Sequence, residues 1–257
     1  MIDARKIVVF DLDQTLGCFT EIGMFWSALN KIMAYHSKEH FFKVMDTFQE
    51  FLRPKILTII KNVLIKKSQG KCDKIMIYTN NNGPRTWVQM IADYFEYKLG
   101  ERVFDVISAF KFNNNIIEIC RTSESKNTPD LLRCANVAPE TKICFFDDLY
   151  HPLMKDDNVY YINIKPFYYS IPYKTMAERY NKLYVDSDKH PNFVDDVVSH
   201  MKKYTFNVVK KSTAEIAVDE VVSKQMIAHI NKFFNKQSRS KTATSKRKLP
   251  SKKTRRH

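Results

Sequence analysis

The segment Val8-Val9-Phe10-Asp11-Leu12-Asp13-Gln14-Thr15-Leu16 decides how this chain is interpreted. An apolar, β-branched run over 6–10 ends abruptly at Asp11, and a second carboxylate follows two residues later. A short, continuously apolar run is typical of a strand that is buried on both faces, as in a parallel sheet. The segment therefore predicts a buried strand whose carboxyl end carries two aspartates.

Further runs repeat this pattern along the chain. Residues 74–78 stop at Thr79, residues 142–146 stop at Asp147, and a fourth run covers 158–164. Helical patterns lie between the runs, together with a weaker strand pattern: helices at 55–67, 84–99 and 128–136, the last opened by Thr128 with Pro129 at the first helical position, and the strand at 103–109. This alternation predicts an α/β fold, a Rossmann-like parallel sheet with helices between its strands.

Two segments depart from the alternation. Residues 19–52 are rich in aromatics and methionine and predict a helical insertion after the first strand. After Pro172 the pattern becomes helical, with helices expected at 173–183, 192–204 and 212–236, the last with Ser212 and Glu215 at capping-box spacing. We therefore expect an α/β core at 1–170, a helical region at 171–235 and a disordered basic tail at 236–257. The helical region is expected to pack on the core, mediate assembly or recruit a partner.

The charge of the chain is concentrated at its end. The formal net charge is +14, and ten of the Lys and Arg residues lie in 236–257, which contains no acid. Such clusters are typical of nuclear-targeting or nucleic-acid-binding segments, and a solubilising end is the alternative. No apolar run approaches the length of a membrane span. We expect a soluble intracellular protein without a membrane partner, located in the nucleus if the tail is a nuclear-targeting signal.

Cysteine and glycine usage excludes several kinds of site. The five cysteines (Cys18, Cys72, Cys120, Cys134 and Cys144) are scattered and never in Cys-x-x-Cys spacing. We expect buried reduced thiols rather than a disulfide framework or a zinc knuckle. The five glycines lie too far apart for a Walker A loop or a Gly-x-Gly-x-x-Gly turn.

Polar side chains follow the predicted strands at their carboxyl ends, which is where ligands bind in this fold class. The carboxyl ends of parallel strands meet at one edge of the sheet, and the ligand site lies beyond them. A carboxylate cluster there needs compensation, which Mg²⁺ supplies through oxygen ligands. The residues concerned are Asp11, Asp13, Thr79, Asn80, Asp147 and Asp148.

These segments resemble the motifs of the haloacid-dehalogenase superfamily. The resemblance covers about residues 5–168. Asp-x-Asp-x-Thr at 11–15 is similar to the first motif, and Thr79 after its strand to the second. Lys126 resembles the third motif and Asp147-Asp148 the fourth. The resemblance implies a phosphatase that forms an aspartyl-phosphate.

The resemblance also implies a role for each residue. Asp11 would be the nucleophile and Asp13 the general acid and base. Thr79 and Lys126 would hold the phosphoryl oxygens, with Thr15 and Asn80 as further candidates on the substrate side. Lys111 competes with Lys126 for the lysine role. The expected Mg²⁺ ligands are Asp11, the Asp13 backbone carbonyl, Asp147 and Asp148.

Within the superfamily, the Phe51-Leu52-Arg53-Pro54 segment is similar to the Arg-Pro segment of the NLI-interacting-factor branch, the phosphatases of the RNA polymerase II C-terminal domain. This favours a phosphoserine or phosphothreonine protein as substrate. A nucleic-acid 3′-end phosphatase that uses the basic tail is an alternative. A catalytically silent scaffold on the same fold is another, although a scaffold has no chemical need for both Asp11 and Asp13.

Three histidines, His151, His36 and His40, are further candidates for a binding or metal site. His151 is expected near the rim of the site, where it would touch substrate. His36 and His40 have helical spacing for metal ligands, but no third ligand accompanies them, so a partly exposed helix face is the preferred interpretation.

Overall fold

The computed structural model describes residues 5–35, 37–204 and 208–235. Within them, five parallel strands form one sheet in the order β3-β2-β1-β6-β7, which confirms the predicted α/β class. The sheet strands are β1 (Lys6–Phe10), β2 (Lys74–Tyr78), β3 (Phe104–Ile107), β6 (Lys142–Asp147) and β7 (Val159–Asn163). A separate antiparallel hairpin consists of β4 (Lys111–Phe112) and β5 (Asn115–Ile116).

The helices fall close to the predicted positions. Predicted ends lie within three residues of the observed ones, and several coincide with them. Asn127, not Thr128, caps the fifth helix, because its side-chain oxygen accepts from the Asp130 N–H at 2.7 Å. The bounds are α1 (Thr20–Met33), α2 (Lys38–Thr47), α3 (Ile56–Ser68), α4 (Arg85–Leu99), α5 (Thr128–Ala135), α6 (Tyr173–Tyr184), α7 (Phe193–Met201) and α8 (Thr213–Asn235).

The central strand β1 explains why its sequence is continuously apolar. Val8 and Phe10 belong to the core on one face of the sheet, while Ile7 and Val9 belong to the core on the other. All four side chains are fully buried. Phe10 lies level with Phe146 of β6, so both strands end at the same edge. The aspartates that follow them are thereby brought together.

The predicted insertion at 19–52 is helical. It contains α1, α2 and a short 3₁₀ turn at Gln49–Phe51. Its apolar face is fully buried against the sheet core, with Phe25 in edge contact with Phe48 at 5.2 Å between ring centroids. Aromatic pairs of this kind add to the stabilisation that burial provides.

The helical region after Pro172 packs on the core. Met176, Tyr180, Val197 and Met226 are fully buried and belong to the same hydrophobic cluster as Val8. The Ser212 capping box at the start of α8 is confirmed by reciprocal hydrogen bonds with Glu215. Of the three roles expected for this region, packing on the core is therefore observed. The basic tail at 236–257 and His36 lie outside the described residues.

The cysteine prediction was partly wrong. Cys18, Cys72 and Cys144 are buried free thiols, but Cys120 and Cys134 form a disulfide with a Cα–Cα distance of 5.1 Å. The loop before α5 folds back along this helix, where the Arg133 guanidinium donates to the Cys120 carbonyl at 2.6 Å. This approach depends on tertiary packing, and no spacing in the sequence signals it.

No helix in the described ranges is both long and apolar enough to span a membrane.

Candidate active site

The loop after β1 carries the two aspartates and is tightly constrained. The Asp11 N–H donates to the Phe146 carbonyl at 2.8 Å, which ties the loop start to β6. Gln14 adopts a left-handed conformation with φ of 59°. At Gly17 a Cβ would lie 2.7 Å from the Phe51 carbonyl oxygen, so no other residue fits without displacing the backbone.

Arg53 from the Arg-Pro segment holds this loop in place. Its buried guanidinium donates to the carbonyls of Thr15 and Gln14, both at 2.6 Å, and to that of Lys165 at 2.9 Å. Charged donors make stronger hydrogen bonds than neutral ones, and burial shields them from water. The segment 51–54 therefore supports the aspartate loop from behind.

At the centre of the site, a lysine lies between two aspartates. The Lys126 ammonium donates to Asp11 Oδ1 at 2.5 Å and to Asp147 Oδ2 at 2.7 Å. The side chain of Lys126 is 2% exposed, and those of Asp11 and Asp147 are 10% and 1% exposed. Charges this deeply buried require partners, and here one cation compensates two carboxylates.

The pKa values of Asp11 and Asp147 are shifted in opposite directions. Burial raises the pKa of Asp11 to about 7, and the charge of Asp147 adds to this effect while Lys126 opposes it. Burial also acts to raise the pKa of Asp147, but the hydrogen bond from His151 and the charge of Lys126 outweigh it and hold that pKa below its ordinary value. The pKa of Lys126 is raised: burial lowers it, but the two aspartates outweigh burial.

Asp13 is held by a residue that the sequence analysis did not assign. The Asn81 side-chain amide donates to Asp13 Oδ2 at 2.7 Å, and the Asn81 N–H donates to Thr79 Oγ1 at 3.0 Å. Burial raises the pKa of Asp13, and the Asn81 hydrogen bond partly offsets this. A raised pKa favours the protonated carboxyl that a general acid needs.

Thr79 and Asn80 are fixed by a second unassigned residue, Arg121. Its buried guanidinium donates to the Thr79 carbonyl at 3.1 Å, to Asn80 Oδ1 at 2.8 Å and to the Ser108 carbonyl at 2.9 Å. The same group lies over the Tyr78 ring, 4.9 Å from its centroid. Arg121 thus joins the end of β2 to the loop that leads to Lys126.

Three carboxylates are close enough to share a cation. Asp11, Asp147 and Asp148 each offer an oxygen within 4.8 Å of the others. The Asp13 carboxylate is not part of this group; the ligand expected from Asp13 is its backbone carbonyl. Oxygen donors of this kind suit a hard divalent cation such as Mg²⁺.

A cavity of about 180 Å³ opens over these groups. Asp11, Asp13, Thr79, Asn80, Lys126, Asp147 and Asp148 all line it, as do Asn81 and His151. Thr15 lies behind the lining: its hydroxyl donates to Asp148 at 3.3 Å. Lys111 is also absent from this lining and contributes to a neighbouring groove instead. The placement therefore favours Lys126 over Lys111.

Sequence inspection missed Asn81 and Arg121 for different reasons. Asn81 lies two residues beyond Thr79, so its position after a strand end was a usable signal. Arg121 lies in a polar loop with no periodicity, and only the fold brings it under Asn80.

Comparison with known proteins gave no match. No protein-family model, no curated protein and no solved structure matches this chain.

Proposed function

We propose that this protein is a Mg²⁺-dependent phosphomonoester hydrolase that forms an aspartyl-phosphate on Asp11. The proposal rests chiefly on one observation, the buried Asp11–Lys126–Asp147 arrangement at the carboxyl ends of adjacent strands β1 and β6. A buried charge cluster often stabilises a fold less than apolar residues of similar volume would, so its presence in a cleft points to a chemical role. The resemblance of the surrounding motifs to the haloacid-dehalogenase superfamily supports the same reaction class.

The metal would be held by Asp11, Asp147 and Asp148, whose oxygens already lie together. When bound, Mg²⁺ would shield the negative nucleophile from the negative phosphoryl group. Lys126 and the Thr79 hydroxyl would bind the phosphoryl oxygens beside it. Asn80 would add its amide N–H groups, because its Oδ1 already accepts from Arg121.

Hydrolysis of the phosphomonoester would proceed in two steps. An Asp11 carboxylate oxygen attacks phosphorus, the bond from phosphorus to the ester oxygen breaks, and Asp13 gives its proton to the leaving oxygen. Water then attacks the phosphorus of the acyl phosphate, the bond to Asp11 breaks, and Asp13 takes the proton of the water. Phosphate leaves, and both aspartates return to their starting states.

The substrate we favour is a phosphoserine or phosphothreonine protein. The cavity is small and open, so it encloses a phosphoryl group but not a whole metabolite. The Arg53 contacts to the aspartate loop accord with the resemblance to phosphatases of the RNA polymerase II C-terminal domain. A nuclear location fits such a substrate and remains a proposal that a fluorescent fusion lacking 236–257 would test.

The decisive experiment is hydrolysis of p-nitrophenyl phosphate with Mg²⁺, with EDTA and in an Asp11→Asn variant. We expect Mg²⁺-dependent turnover that falls by at least about a thousandfold in the variant, because the nucleophile is lost. Asp188→Asn, an exposed position far along the chain, is the matched control and should keep full activity.

Two results would contradict the proposal. Folded wild-type protein without turnover would favour a silent scaffold on this fold. Turnover that persists in Asp11→Asn at the wild-type rate would exclude Asp11 as the nucleophile.

A further inference from the structure

A second concavity lies directly beside the catalytic cavity. It has a volume of about 450 Å³ and shares Asn80 with the cavity. We call it the hairpin groove; it is lined by Asn80, Asn82, 109–114 and Glu124. Because the two spaces share a wall, a chain whose phosphate enters the cavity would continue into the hairpin groove.

Four of the nine residues that line the hairpin groove are asparagines. Asn82, Asn113 and Asn114 are all exposed, and the last two form the hairpin tip with φ of 48° and 64°. Each amide offers both donors and an acceptor. An extended peptide presents one N–H and one C=O per residue, so amide side chains match its backbone without regard to sequence.

The remaining lining is aromatic and close to electrically neutral. Phe110 and Phe112 are half-buried, and the Lys111 ammonium lies 5.4 Å from the Phe110 ring centroid. Lys111 and Glu124 contribute opposite charges. A groove for a polynucleotide would need several cations for the flanking phosphates, since phosphate contacts supply most non-specific affinity. The described lining of this groove has one.

The opposite side of the catalytic cavity is apolar. Leu149, Tyr150 and Leu153 lie between β6 and β7 and are 62%, 61% and 60% exposed. Residues 148–154 contain no Lys or Arg. Of the three, Leu149 lines the cavity itself, and exposed apolar groups beside a site mark a recognition surface for a chain with apolar side chains. Both flanks of the cavity therefore suit a polypeptide better than a nucleic acid.

We infer that the hairpin groove binds the extended backbone of a phosphoprotein on one side of the phosphorylated residue. The inference rests on the proposed function and specifies its substrate class. Main-chain hydrogen bonds would provide affinity that depends on peptide length rather than on sequence. Lys111, which the cavity does not use, would contact this flanking chain.

The test compares short and long substrates on groove variants. We would measure kcat/KM for N-acetyl-phosphoserine amide and for peptides extended by four uncharged residues on either side. In the wild type, extension on one side should raise kcat/KM about tenfold or more. In an Asn82→Ala/Lys111→Ala variant this ratio should fall to near one. The matched control, Asn192→Ala/Lys71→Ala, removes an exposed Asn and an exposed Lys outside the groove and the hairpin, and it should keep the wild-type ratio.

Binding separates failure of the inference from failure of the proposed function. Fluorescence anisotropy of the labelled long phosphopeptide on Asp11→Asn protein requires no turnover. Weaker binding in the groove variant than in the control would support the groove even if the wild type proved inactive. Equal binding by both variants, or no length effect, would overturn it. If lengthening a 3′-phosphorylated oligonucleotide raised kcat/KM in a groove-dependent way and lengthening the peptide did not, the inference would be overturned in favour of a nucleic-acid substrate.

Discussion

Lys126 is the residue on which the balance of charge in the site depends. Its ammonium is the partner of both Asp11 and Asp147, and all three side chains are nearly inaccessible to water. Removing one partner of a buried ion pair leaves an uncompensated charge, which costs more than the pair itself contributed. The lysine is therefore expected to matter for stability as well as for catalysis.

We predict that Lys126→Met lowers the free energy of unfolding by about 3 kcal/mol in EDTA and abolishes turnover. Mg²⁺ should restore part of the stability, because a bound cation replaces the missing charge and binds only the folded site. Urea unfolding with and without Mg²⁺ measures both effects. Lys61→Met, at an exposed position on α3, is the control and should change stability little. A loss in EDTA no larger than that of the control would contradict the prediction.

Helix α1 carries a buried carboxylate, Glu21, in its first turn. Glu21 is fully buried, and one carboxylate oxygen accepts from the Ile171 N–H at 3.1 Å while the other has no partner. Burial raises the pKa of Glu21 from its ordinary 4.5 to about 7, with the Ile171 hydrogen bond opposing. This contact also joins the helical insertion to the chain segment ahead of α6.

The raised pKa of Glu21 predicts how stability depends on pH. Between about pH 4.5 and 7 the folded chain keeps a proton on Glu21 that the unfolded chain releases, so stability falls as pH rises through this window. We expect Glu21→Gln to remove about 2 kcal/mol of that fall, since glutamine stays neutral. Chemical unfolding at several pH values gives the comparison. Glu140→Gln, at an exposed position, should leave the wild-type slope intact; a Glu21→Gln slope equal to it would refute the assignment.

At the scale of the whole molecule, the C-terminal helices complete the core. Helix α8 buries Met226, Ile230 and Phe233, and the Lys6 ammonium of β1 lies 5.6 Å from the Phe233 ring centroid. The Tyr160 hydroxyl of β7 hydrogen-bonds the His229 ring at 2.6 Å. The helices that follow residue 170 therefore share one hydrophobic core with the sheet.

We predict that α8 unfolds together with the rest of the chain. Met226→Ala should destabilise the protein by about 2–4 kcal/mol through the cavity it leaves. Trp26 and Trp87, the two tryptophans, lie on α1 and α4, so their fluorescence reports unfolding away from the mutation. Their transition should shift to lower urea in Met226→Ala and hardly move in Ile216→Ala, which truncates an exposed side chain of the same helix. An unshifted transition in Met226→Ala would mean that α8 unfolds independently.

The sequence by itself determined the class of fold and most of the residues that line the candidate site. Apolar, β-branched runs form buried parallel strands because burial on both faces leaves no room for alternation, and this is visible locally. The residues that end those runs then meet at one edge because the strands are parallel. For this reason Asp11, Asp13, Thr79 and Asp147 could be grouped without any structure.

The tertiary structure decided which groups support those residues. Three features bring together segments whose proximity no sequence pattern predicts. They are the contact of Arg121 with Asn80, the Cys120–Cys134 disulfide and the hairpin groove. The choice of Lys126 over Lys111 is of the same kind, since both lie in polar stretches and only one reaches the buried aspartates. A loop's course depends on long-range packing and hydrogen bonds rather than on local propensity, so its contacts follow only from the folded chain.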